Sequence, residues 1–149
     1  MFIGGFGHRP NVDAVGWLAK EIMPRLNASL PGLVVHILGS NPPKEVTDLQ
    51  TENLRIEGFV TDERLEQYYR ECRMAIVPLR YGAGIKGKVV EAMRYGMPVL
   101  TTSVGAEGMI GAEGILAVED TPEDFAARFV SLYKDHAALE RVSRQEVAY

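Results

Sequence analysis

The chain has 149 residues, the size of one domain, and folding at that length buries about 68–70% of the unfolded surface. Its 46% hydrophobic and 24% charged residues compose like an ordinary soluble protein, and a net charge of −4 argues against the broad positive surface of a nucleic-acid binder. A single cysteine, Cys72, excludes an internal disulfide and a cysteine-cluster metal site, and no apolar run approaches the ~20 residues of a membrane span.

The chain opens directly in an apolar run, "MFIGG" (1–5), that enters a glycine turn without the basic segment or cleavage signal of a secreted protein. An opening with no disordered lead-in suggests a piece of a longer protein. A reduced, cytoplasmic setting is the default, with peripheral attachment to a membrane through a preceding domain left open. The first helix follows, with Val12, Val15, Leu18, Ala19, Ile22 and Leu26 forming one apolar stripe and Asn11 or Asp13 able to cap its start. Strand candidates come next at "LVVHILG" (33–39) and "LRIEGF" (54–59), with His36 read as packing inside the first of them.

The pattern "TDERLEQYYREC" predicts a helix capped by Thr61 or Asp62, with Leu65, Tyr68, Tyr69 and Cys72 on its buried side. Cys72 reads as a small buried filler rather than a nucleophile. The strand candidate "MAIVPL" (74–79) leads through a glycine-rich loop to the short helix "VVEAMRYG", which Gly96 should end. Two more strands, "PVLTT" (98–102) and "GILAV" (114–118), precede a helix opened by Thr121 as cap and Pro122 at its first position. A last helix, "HAALERVSRQEVA", continues towards the terminus.

Most of these strands are unbroken runs rich in Val, Ile and Leu, as in parallel sheets covered on both faces. Six of them alternating with helices predict an α/β fold, a doubly wound parallel sheet in one domain spanning 1–149. Ligands of such sheets bind beyond the carboxyl ends of the strands, where strand order reverses. That makes loops 4–11 and 79–88 the candidates, because both are glycine-rich and both run into a helix.

The second loop carries the chemistry. Gly82, Gly84 and Gly87 let the backbone approach a ligand, and the helix start near Lys88 offers unpaired N–H groups and a positive dipole end. Arg80, Lys86, Lys88 and Arg94 stand against one acid, Glu91, a local +3 inside a chain of net −4. The stretch "GAGIKGKV" falls one residue short of a nucleotide-triphosphate loop, since Val89 cannot ligate magnesium and the loop leaves the fourth strand rather than the first. The first turn is an equally poor dinucleotide fingerprint: Pro10 occupies the third glycine's place, and "HILGSN" ends without an acid for a ribose. The alternative to a phosphate site is a solvated loop whose lysines keep it soluble.

The phrase "IVPLRYGAGIKGKVVEAMRYGMPVLTTSVGAEGM" resembles the donor-binding half of the group 1 glycosyltransferases, retaining enzymes with two facing Rossmann-like domains, the GT-B fold. The resemblance rests on Pro78, the glycines of 82–87, Glu91-Ala92-Met93, Gly96 and Pro98-Val99, and it extends over most of the chain. It implies the C-terminal half of a GT-B enzyme: a domain that binds a nucleotide diphospho-sugar as substrate, needs no metal or cofactor, and works with an N-terminal acceptor-binding domain. By the same resemblance Glu91 would bond the ribose hydroxyls, and Lys86, Gly87, Lys88 and Val89 would face the diphosphate with Gly84 in the loop. Gly58, Phe59 and Val60 would hold the base, and Gly4 and Gly5 would lie beneath the phosphates. Lys86 and Glu91 are the residues expected to carry catalysis.

Two departures stand out. Where the family often has a first acid, eight positions before Glu91, this chain has Ala83, and Arg9 is at best a shifted substitute for the family's basic residues after the first strand. His8 and Glu107 are each read two ways, as donor-sugar contacts or as ordinary loop residues. A fragment of this kind is expected to bind nucleotide without catalysing transfer alone. The remaining alternatives are a nucleotide-sugar epimerase of the same fold and a non-catalytic nucleotide-sugar-binding module.

Overall fold

A computed structural model describes residues 1–149. All six strands form where the apolar runs lie: β1 (Phe2–Ile3), β2 (Val35–Leu38), β3 (Leu54–Gly58), β4 (Ala75–Val77), β5 (Val99–Thr101) and β6 (Ala117–Val118). They make two three-stranded parallel sheets, in orders β1-β2-β3 and β4-β5-β6. Main-chain bonds from Met1 join the two: its N donates to Met74 O at 2.8 Å, and its carbonyl accepts from Ile76 N at 2.9 Å. The combined order is 3-2-1-4-5-6, so the strand order reverses between β1 and β4.

The helices are α1 (Arg9–Trp17), α2 (Met23–Ser29), α3 (Lys44–Thr47), α4 (Asp62–Glu71), α5 (Gly87–Arg94), α6 (Pro122–Lys134) and α7 (His136–Ala148). Right-handed crossovers place α1–α2 and α4–α5 on opposite faces of the sheet. Two aromatic contacts mark the layers. Trp17 of α1 meets Phe125 of α6 edge-on at 6.2 Å, while Tyr69 of α4 stacks on Tyr95 at the end of α5 at 4.2 Å. Helix α7 packs against both α5 and α6.

The first helix is the one element that departs from its expected form. The single stripe is broken into α1, a π-helical segment (Leu18–Ile22) and α2. Pro24 has no N–H to return to the carbonyl one turn back, and its ring crowds that carbonyl, so the preceding turn widens. The stripe survives the change: Val15, Leu18, Ile22 and Leu26 are all fully buried. Each large aliphatic side chain buried so completely contributes about 1.5–3 kcal/mol relative to exposure.

The expected caps form. Thr61 Oγ1 accepts from Arg64 N at 3.2 Å, and Thr121 Oγ1 accepts from Asp124 N at 3.1 Å. Gly96 closes α5, with Met97 N donating back to Ala92 O at 3.0 Å. The short α3 is an addition to the elements expected. Cys72 is half-buried at the end of α4, and burial pushes its thiol pKa up, away from thiolate reactivity. No helix is long and apolar enough to cross a membrane.

Candidate functional site

The two glycine loops meet at the strand-order reversal. One runs from β1 into α1, the other from β4 into α5. Helix α5 begins without a side-chain cap; Val89 N is the first amide to find an acceptor, Lys86 O at 3.0 Å, which leaves the N–H groups of Gly87 and Lys88 unpartnered. Val89 itself points into the core and is fully buried. Unpartnered donors and the dipole of an eight-residue helix are the features that can receive an anion.

The two lysines are tethered rather than free. Lys86 Nζ turns back onto the carbonyls of Gly82 and Gly84, leaving only 11% of its side chain exposed. Lys88 Nζ crosses to the first loop, where it donates to Asn11 Oδ1 and lies 4.8 Å from the centre of the Phe2 ring. Burial, and then repulsion from Lys86, lowers the Lys88 pKa to about 8.

Asn11 is the residue that sequence reasoning undervalued. It was a candidate helix cap, but α1 already starts at Arg9, and Asn11 sits inside the first turn. It is 4% exposed, and its Nδ2 donates to Gly5 O at 2.9 Å. The signal was present in the spacing, because Asn11, Val15, Leu18 and Ile22 share the buried stripe, where a polar side chain needs partners.

Glu107 is brought to the site. Its Oε1 accepts from Gly84 N at 3.3 Å and its Oε2 lies 3.9 Å from Lys86 Nζ, so it latches the second loop from the turn after β5. Ala83 is exposed in that same loop, and Glu91 is exposed with no ion-pair partner. Gly4 is buried against Asn11 and Gly5 is exposed beside it. Gly58 and Val60 are half-buried at the end of β3, while Phe59 stands out at 74% exposure.

Other expected residues are drawn elsewhere. Arg9 pairs with Glu45 of α3 at 2.7 Å, which takes its charge away from the α5 amides. His8 is exposed at the start of α1 and makes no capping bond. Arg80, counted in the basic cluster, is held by both oxygens of Asp13, with Nε 2.9 Å from Oδ2. These two ion pairs flank a groove of about 340 Å³ beside the site, with Gly16 and Trp17 among its lining residues. No group of three or more His, Cys, Asp or Glu side chains is placed to hold a metal ion.

A six-stranded parallel Rossmann-like domain with an uncapped helix at its switch point matches the C-terminal domains of GT-B glycosyltransferases. Residues 1–135 match the model of the glycosyl transferases group 1 family, and the chain belongs to that family. It is 29% identical over 141 residues to D-inositol 3-phosphate glycosyltransferase of Nocardiopsis dassonvillei, covering 85% of this chain and 33% of that protein. Among solved structures, TarM superposes with a TM-score of 0.80 at 15% identity, over 98% of this chain and 30% of TarM. Anabaena HepE, solved in complex with UDP and glucose, superposes with a TM-score of 0.69 at 16% identity, over 99% of this chain and 42% of HepE. The chain spans 33–39% of the length of the curated relatives it matches.

Proposed function

We propose that this domain binds a nucleotide diphospho-sugar at the carboxyl ends of β1 and β4 and serves as the donor half of a retaining glycosyltransferase. An acceptor-binding half would precede it in the same protein, and the domain alone would bind nucleotide without transferring sugar. The observation that carries the reading is the open start of α5, whose two unpartnered amides face the strand-order reversal.

Breaking the bond between sugar and diphosphate leaves negative charge on the departing phosphate oxygens. Fixed donors at that place stabilise the charge as it develops, with no divalent ion needed. The amides of Gly87 and Lys88 supply fixed donors, and Lys86 and Lys88 supply the counter-charge. Glu91, one turn into α5 and without an ion-pair partner, can accept from ribose hydroxyls. Gly58, Phe59 and Val60, at the end of β3 on the same edge of the sheet, would hold the base. Ala83, His8 and Glu107 border the space for the sugar, with Glu107 acting through the loop it latches.

Calorimetric titration with UDP and GDP, with and without magnesium, tests this. Binding is expected and should not depend on the metal. The double variant Lys86→Ala, Lys88→Ala should lose at least about tenfold in affinity, since bonds to charged groups contribute roughly 1.5–3 kcal/mol each. Glu91→Ala should weaken UDP but not inorganic pyrophosphate. Failure of both nucleotides to bind at millimolar concentration overturns the reading. The exposed Ala83, where the family often has an acid, favours one second reading: a donor-binding module that transfers nothing. A full-length parent that binds donor yet neither transfers nor hydrolyses its sugar would establish that instead.

A further inference from the structure

We propose that Asn11 is the positioning residue of this site: its carboxamide ties Lys88 to the first glycine loop and so sets where the ammonium lies. The inference rests on the diphosphate reading above. Three observations on separate elements meet here. Nδ2 of Asn11 donates to Gly5 O at 2.9 Å, its Oδ1 accepts from Lys88 Nζ, and Gly4 packs so tightly on the carboxamide that an added Cβ would lie 2.6 Å from Asn11 Cγ. The two hydrogen bonds fix which end of the amide faces the first loop and which faces the lysine. It joins two loops 77 positions apart in the chain and holds the lysine between them.

The charge around Lys88 explains why a neutral acceptor serves here. Helix α1 brings uncharged Asn11, while its charged residues Arg9 and Asp13 are committed to Glu45 and Arg80. Strand β1 brings the Phe2 ring, and the lysine's own loop brings Lys86. A carboxylate at position 11 would neutralise the lysine. An amide holds it by one hydrogen bond and leaves its charge for an incoming anion.

With its pKa near 8, Lys88 is partly neutral in the empty site at that pH, and a bound diphosphate draws a proton onto it. A group of pKa about 8 is roughly nine-tenths protonated at pH 7 and one-tenth at pH 9, so UDP affinity should fall about tenfold across that interval.

The test has two readouts on the 149-residue chain: titration of the Lys88 side chain by NMR with 13C-labelled lysine, and UDP affinity from pH 7 to 9. The wild-type midpoint is expected near 8. Asn11→Asp keeps the acceptor for Lys88 and adds charge, at the cost of the donor to Gly5 O: the midpoint should rise above that of an ordinary lysine, the pH limb of UDP binding should flatten, and affinity at pH 7 should fall. Asn11→Ala removes the acceptor and should cost about tenfold in affinity at pH 7. A purely structural Asn11 would lower the melting temperature while leaving the Lys88 midpoint and the affinity per folded molecule within twofold of wild type. That result, or a wild-type Lys88 titrating at the ordinary lysine value, overturns the inference. If Asn11→Ala fails to fold, the Asn11→Asp midpoint decides alone. Absence of UDP binding by the wild type would fell the nucleotide reading, while the NMR midpoints would still judge the coupling of Asn11 to Lys88.

Discussion

The two glycine loops that meet at the switch point are built on opposite terms. In the first, one glycine is required by contact: Gly4 abuts the Asn11 carboxamide, and a Cβ on Gly39, just after β2, would lie 1.8 Å from Gly4 O, while Gly5 and Gly7 have open space around them. In the second, a Cβ on Gly84 or Gly87 would meet nothing within 4 Å. The first loop rests on a packed floor at Gly4, where the glycine serves the fold. The second is a more open wall, held in shape by Lys86 and Glu107 and by Ile85 lying over Gly108. Open space that the fold does not use, in front of unpartnered amides, is where a ligand has room.

That contrast can be broken most forcefully at the floor. Gly39→Ala forces the backbone of β1 and β2 apart and should cost about 3 kcal/mol or more, enough to abolish cooperative melting in a marginal domain. The wall should tolerate the same change far better. Gly84 has φ +86, so Gly84→Ala is strained by about 1–2 kcal/mol from its left-handed conformation alone, and the domain should still melt cooperatively. Equal losses at the two positions would erase the distinction between floor and wall.

Between those effects lies a test of the brace behind the wall. Glu146 of α7 is buried, and its Oε1 accepts from Val99 N at 2.9 Å at the start of β5. Burial raises its pKa from 4.5 to about 8, partly offset by that hydrogen bond. Between those two values the folded state holds a proton that the unfolded chain has released, so stability should fall as pH rises across this window and level off above it. Glu146→Gln should remove the slope and make the domain more stable than wild type at pH 8, read from chemical denaturation at pH 5 and pH 8. An unchanged slope would show that Glu146 ionises freely. Because α7 packs on α5, the UDP affinity of the same variant shows whether bracing that helix affects binding.

Much of the fold was legible before any coordinates. The six apolar runs became strands because each is flanked by turn residues; β4 and β5 are covered on both faces, while β3 and β6 leave Arg55, Glu57 and Val118 exposed. Thr61 and Thr121 became caps because their oxygens reach amides only three residues on. The unexpected break at Leu18–Ile22 also has a local cause in Pro24, which hydrophobic periodicity does not register. At the site, the glycine loop, the open helix start and the location at the reversal of strand order all followed from spacing and alternation.

The sequence by itself determined which elements form and where a phosphate could be received, because strands, caps and turns depend on neighbours a few residues away. Only the tertiary structure decided where the charges go. Lys88 found Asn11 and Phe2, Lys86 folded onto its own loop, and Arg9 left for Glu45. A long flexible side chain takes its partner from whatever atoms folding brings within reach. No spacing along the chain encodes that choice.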